Sequence, residues 1–149
     1  MGKNSQTYFR ANRQEDVEGV VRLLTKQDAV ITPYLQSNHS LRITDDNERE
    51  INVLGERGNL VLCFGSAFLI HHIHGRKSIS IEDIVVRQEY RQMGIGSELL
   101  RYLINWGTKM NCYKVTLSCT QSNSAFYTKN GFSANSLGMV MYTKVNGIN

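Results

Sequence analysis

Hydrophobic positions change their spacing several times along the chain, and each change marks a boundary. Thr7–Arg10 has the character of a short strand. Val17, Val20, Val21 and Leu24 then recur at helical spacing, which predicts a helix over Gln14–Thr25. Thr32-Pro33 to Ile43 reads as a second helix with proline in its first turn. Ser37-Asn38-His39-Ser40 weakens that reading, and Asp45–Glu50 is a polar connection. Ile51–Leu54 and Leu60–Ile73 are strand-like apolar runs. Gly55-Glu56-Arg57-Gly58-Asn59 between them is turn chemistry, so a hairpin is predicted. Gly75-Arg76-Lys77 turns the chain again, and Ile79–Val86 forms a third strand of that run. Helical spacing returns at Gly94–Met110, with Ile95, Leu99, Leu103, Trp106 and Met110 on one side. Lys114–Cys119 is predicted as a strand, Asn123–Lys129 as a short helix and Leu137–Thr143 as a last strand.

The resulting order is β-α-α-β-β-β-α-β-α-β. It implies an α/β (α+β) fold, a central mixed twisted sheet flanked by helices. The length, 149 residues, suits a single domain over 1–149 with residues 1–5 as a loose tail.

Composition narrows the function classes. An apolar share of 41% excludes a disordered chain, and no run approaches the ~18 apolar residues of a membrane span. A net charge of +4 suits an anionic small ligand. The chain lacks the dense basic tract of a dedicated nucleic-acid binder, so neither nucleic acid nor membrane is an expected partner. Cys63, Cys112 and Cys119 are odd in number and form no C-x-x-C, which points to reduced thiols and a cytoplasmic setting. The first residues miss a myristoylation signal at Gln6, and the last four form no sorting address.

The chemistry concentrates in one stretch. Ile81-Glu82-Asp83-Ile84-Val85-Val86 is followed by Arg91-Gln92-Met93-Gly94-Ile95-Gly96 and then by a helix. Glycines let backbone approach a ligand closely, and a helix start offers free N–H groups and a positive dipole end. Together they suit a pyrophosphate. The third glycine of the Rossmann fingerprint and the Gly-Lys-Ser/Thr of a P-loop are both missing. A tight helix-entry turn is the plain alternative.

Arg-x-x-Gly-x-Gly after a buried strand resembles the acetyl-CoA signature of the GNAT acetyltransferase superfamily. Asn111-Cys112-Tyr113-Lys114 and Asn123-Ser124-Ala125-Phe126-Tyr127-Thr128-Lys129-Asn130-Gly131-Phe132, with Ile81-Glu82-Asp83, narrow the match. These segments look like the eukaryotic glucosamine-6-phosphate N-acetyltransferases, over Leu60–Phe132 above all.

The resemblance implies the GNAT fold, acetyl-CoA as co-substrate, glucosamine 6-phosphate as acceptor on the route to UDP-N-acetylglucosamine, and no metal. It assigns Ile84, Val85, Val86, Arg91, Gln92, Met93, Gly94, Ile95, Gly96, Ser97, Ser118, Asn123, Phe126 and Tyr127 to acetyl-CoA. Thr25, His71, His72, His74, Glu82, Asp83, Tyr113, Lys114 and Lys144 would serve the sugar phosphate. Tyr127 would protonate the departing thiolate, with Glu82 and Asp83 beside the amine. A homodimer is implied, with exchange of the final strand.

Plainer readings stand beside these. Glu82 and Asp83 alternate across a strand and could form an edge ion pair, and Tyr127 could be a packing residue. Asn123 could cap its helix, and Lys114 could be solvated surface. His71-His72-Ile73-His74 invites a metal, but alternation sends the rings to both sides and no completing ligand is spaced for it. Ser118 stands where relatives carry Asp or Glu. Tyr142 stands where they tend to have Arg, with Lys144 on the same strand face as a substitute cation. The rival functions are a protein acetyltransferase and a non-catalytic acetyl-CoA or sugar-phosphate binder.

Overall fold

Four of the five strands among the described residues form a meander. In the computed structural model, which describes residues 7–11, 13–16, 19, 20, 23, 49–58 and 60–144, these are β1 (Tyr8–Ala11), β2 (Glu50–Arg57), β3 (Leu60–His71) and β4 (Lys77–Val86). Each is antiparallel to the next, and β5 (Cys112–Thr116) lies parallel to β4, giving the order β1-β2-β3-β4-β5. Parallel neighbours require a crossover. Helix α1 (Ile95–Lys109) supplies it.

The sheet and α1 bury the main core. Ile95, Leu99, Leu100, Leu103 and Trp106 of α1 are buried, as are Cys63 and Ala67 of β3 and Ile79 and Ile81 of β4. Gly65 permits the closest approach: a Cβ there would lie 2.6 Å from Ile84 Cδ1 and 3.1 Å from Leu103 Cδ1. Burial also pushes the Cys63 thiol up to about 12, which leaves it inert.

Of the predicted first helix, Gln14–Asp16 is a 3-10 turn, and Gly19, Val20 and Leu23 are helical. Val20 and Leu23 pack with Leu54 and Phe64. Arg10 secures this turn to β2. Its guanidinium donates to both Asp16 oxygens, at 2.7 and 2.8 Å, and to Glu56 Oε1 at 2.8 Å. Thr25 and the helix predicted over Thr32–Ile43 lie outside the described residues. Among the described residues no helix is long and apolar enough to cross a membrane.

Other elements differ from the sequence reading: β3 ends at His71 rather than Ile73, and β4 begins at Lys77 rather than Ile79. The β2–β3 hairpin turns more tightly than the five-residue Gly55–Asn59 predicts, because Arg57 already pairs with Leu60. The strand predicted over Lys114–Cys119 begins earlier and stops at Thr116. Leu137–Thr143 is not a strand: among the described residues no neighbour pairs with it, and a strand exists only through its ladder. Its side chains stand in the open, with Leu137 92% and Tyr142 90% exposed. The chain divides into two compact units, Met1–Leu117 and Ser118–Asn149. The second carries helix α2 (Ser124–Lys129).

Candidate active site

β5 accompanies β4 for only part of its length. Their pairing runs from Lys77 opposite Cys112 to Ser80 opposite Thr116 and then stops. β4 continues to Val86, still paired with β3 through Val85–Phe64 and Val86–Cys63. Over Ile81–Val86 its other edge carries no strand among the described residues. Unpaired strand edges present N–H and C=O groups to whatever binds there. Ile84, Val85 and Val86 therefore line an open backbone edge.

A bulge interrupts β4 at the head of this edge. Asp83 and Ile84 together face Gly65, and Asp83 takes φ 56. Non-glycine residues seldom adopt that conformation, and bulges re-aim side chains. Simple alternation of Glu82 and Asp83 therefore gives way to a kink. Ser80 Oγ donates to Glu82 Oε1 at 3.0 Å. Neither carboxylate joins a salt bridge among the described residues, so the edge ion pair does not form. Asp83 is exposed as a residue, yet partial burial of its carboxyl raises its pKa above the ordinary value, and the Glu82 charge adds to that.

The chain then enters the glycine turn. Arg91 Nε donates to Val86 O at 3.2 Å, Gln92 takes φ 63 and Gly94 takes φ 83. A side chain at Gly94 would be strained, and Gly94 is the N-cap of α1. Glu98 N bonds Gly94 O at 3.1 Å, the first helical bond. The N–H groups of Ile95, Gly96 and Ser97 precede it and have no acceptor within the helix. An open strand edge thus runs into a helix N-terminus suited to an anion.

A second cluster forms at the opposite end of β4. The His72 and His74 rings stack with centroids 5.2 Å apart, and both meet Tyr113 edge-on, at 6.0 and 5.8 Å. His72 Nε2 pairs with Ser78 Oγ at 2.7 Å. Arg76 stands 4.7 Å and Lys114 5.3 Å from the Tyr113 ring centroid. Neither cation has a carboxylate partner among the described residues. His71 stays outside the stack, paired with Lys77 across the hairpin. Arg76 was missed in the sequence, where Gly75-Arg76-Lys77 read only as a turn. Its charge beside the histidine run was the available signal.

β4 is 10 residues long, about 30 Å from end to end. Tyr113, Lys114, His72 and His74 are therefore not brought to the glycine turn. Among the described residues no His, Cys, Asp or Glu side chains gather in threes as a metal site.

In the second unit, Tyr127 packs edge-on against Phe126 and Phe132, with centroids at 5.0 and 5.9 Å. Burial, and then the neighbouring Cys119, raise its phenol above the usual range, so it stays protonated at neutral pH. Asn123 occupies the N-cap of α2, but its side chain makes no capping bond. Ser118 and Phe126 belong to this unit, with Gly138 close to the Ser118 hydroxyl. Lys144 and Tyr142 lie outside any strand, so the shared-face argument for Lys144 does not hold.

A profile of the Acetyltransferase (GNAT) family matches residues 8–132. The chain belongs to that family. It is 38% identical over 66 residues to the glucosamine 6-phosphate N-acetyltransferase of Arabidopsis thaliana, a match covering 44% of each chain. With the enzyme of the same name from Trypanosoma brucei brucei it shares 40% identity over 60 residues, covering 40% of this chain and 41% of that one. The chain thus spans less than half the length of these curated relatives. The crystal structure of the Arabidopsis thaliana glucosamine-6-phosphate N-acetyltransferase matches with a TM-score of 0.77 at 23% identity, covering 94% of this chain and 100% of that one. At that identity the likeness establishes the fold.

Proposed function

We propose that this protein transfers acetyl from acetyl-CoA to the 2-amine of glucosamine 6-phosphate. The observation that carries the reading is the open edge at Ile84–Val86 continuing into the Gly94 turn and α1. A thioester carbonyl along that edge meets backbone N–H donors, as in an oxyanion hole. The pyrophosphate lies over Gln92–Ser97. The amine nitrogen attacks the thioester carbon, the C–S bond breaks, and no acetyl-enzyme forms. Asp83, held above the ordinary carboxylate range, accepts the amine proton. Tyr127, held protonated, donates its proton to the leaving thiolate.

The acceptor site we assign to the cluster of His72, His74, Tyr113 and Lys114, joined by Arg76. Cations over an aromatic ring suit a phosphate and a sugar face. Because that cluster lies at the far end of β4, the reading requires a homodimer in which one copy's cluster meets the other's cofactor edge. Support comes from the exposed apolar run Leu137–Tyr142 and the outer edge of β5, which carries no strand among the described residues; both suit strand pairing between copies. We assign the two compact units to one catalytic domain and the protein to the cytoplasm.

The test is thiol release from acetyl-CoA with glucosamine 6-phosphate, glucosamine or a lysine peptide. Release with the phosphorylated sugar alone is the expected result. Release with peptide alone would replace the acceptor. Binding of acetyl-CoA with no release would replace catalysis by sensing.

A further inference from the structure

The chain reaches the glycine turn through Arg87 and the 3-10 turn Gln88–Tyr90, and the β2–β3 hairpin grips this segment from the side. Arg87 N donates to Leu62 O at 2.7 Å and its Nε to Val61 O at 3.0 Å. In the other direction, the Arg57 guanidinium at the end of β2 stands 5.3 Å from the centroid of the Tyr90 ring. Arg57 is oriented by one hydrogen bond, from its Nη2 to Thr7 Oγ1 at 3.1 Å. Its Nε is buried and has no acceptor among the described residues. A guanidinium with one N–H shut off from water gains from the ring face beside it.

We infer that Arg57 and Tyr90 are positioning residues for acetyl-CoA, a latch that fixes the turn before the cofactor arrives. The inference rests on the reading of Gln92–Ser97 as the pyrophosphate cradle. That turn contains two left-handed residues two apart, Gln92 and Gly94. It is held to its approach by few bonds: Arg91 N to Gln88 O at 3.3 Å and Arg91 Nε to Val86 O at 3.2 Å. A cradle of N–H groups binds well only when its geometry is set in advance, since ordering it on binding lowers affinity. Tyr90 immediately precedes Arg91, so the ring anchors the approach one residue before those two bonds. Losing the latch loosens the cradle and leaves the reacting atoms alone.

The test combines titration of CoA with steady-state kinetics on Arg57→Met, Tyr90→Leu and Tyr90→Phe, with Ser97→Asp as a reference inside the cradle. Arg57→Met keeps the aliphatic stem and removes the charge. Arg57→Met and Tyr90→Leu should weaken CoA binding on the order of fivefold. The KM for acetyl-CoA should rise by the same factor, with kcat and the acceptor KM unchanged. Tyr90→Phe keeps the ring and should match wild type. If Arg57→Met does not fold, Tyr90→Leu decides alone. Unchanged CoA affinity in Tyr90→Leu, even with a lower Tm, would reduce the contact to ordinary packing and overturn the inference. Equal losses in Tyr90→Phe and Tyr90→Leu would overturn it as well. If Ser97→Asp also leaves CoA binding intact, the cradle reading falls and the latch with it. If Ser97→Asp weakens binding and Tyr90→Leu does not, only the latch falls.

Discussion

The two ends of β4 offer different groups for binding. At its C-terminal end these are backbone: the open edge of Ile84–Val86 and the first N–H groups of α1. At its N-terminal end they are side chains: His72, His74, Arg76 and Lys114 gathered around Tyr113. A backbone site tolerates changes of side chain provided its shape survives, whereas a side-chain site depends on particular charges. The first suits the invariant part of a reaction, the acyl carrier. The second suits the acceptor, where selectivity lies.

The largest effect should fall at neither end. Tyr127→Phe should lower kcat about a hundredfold and leave both KM values in place, because its phenol is assigned to the leaving thiolate alone. Stopped-flow thiol release would read this directly. A change in either KM instead would move Tyr127 into binding.

Next comes Ser97→Asp, which separates stability from binding at the backbone end. A carboxylate in the first turn of α1 favours the helix dipole. It also repels a pyrophosphate, so CoA affinity should fall about thirtyfold while Tm holds or rises. A fall in both would mean that the turn had simply been damaged.

At the side-chain end, Arg76→Met and Lys114→Met should each raise the KM for glucosamine 6-phosphate about tenfold. The KM for acetyl-CoA should not move. Comparable losses with unphosphorylated glucosamine would show that the cations serve something other than the phosphate.

The smallest effect concerns Asp83. Burial holds its carboxyl above the ordinary range, and the Glu82 charge adds to that. Glu82→Gln removes the lesser cause, so the acid limb of kcat/KM should move to lower pH. The sign for stability agrees. A carboxyl raised in the folded state costs stability as pH rises above its unfolded pKa, and Glu82→Gln should reduce that cost. A limb that stays fixed would remove Asp83 as the proton acceptor.

How far each end could be read from sequence follows the same division. The glycine turn was legible because Gly94 answers to one backbone conformation, and α1 was legible because Leu99, Leu103 and Trp106 share a face. The bulge at Asp83 was not, since it arises from a register slip opposite Gly65 that only pairing creates. The tyrosine-centred cluster was half legible. The histidine run and Tyr113-Lys114 stood out by type, but Arg76 joins them only through the parallel placement of β5 beside Lys77. Leu137–Thr143 has the apolar character of a strand, but a strand needs a neighbour, and among the described residues none pairs with it.

The central claim is that the two ends meet only across two copies. Complementation between impaired variants, assayed with both substrates well below their KM values, tests it most directly. Chains carrying Ser97→Asp retain a sound acceptor cluster, and chains carrying Arg76→Met with Lys114→Met retain a sound cofactor edge. Unfolded together and refolded as an equal mixture, they should recover about a quarter of wild-type activity, because half of the dimers are mixed and each mixed dimer has one intact site. Activity no higher than the average of the two variants would place both ends in a single copy and contradict the account.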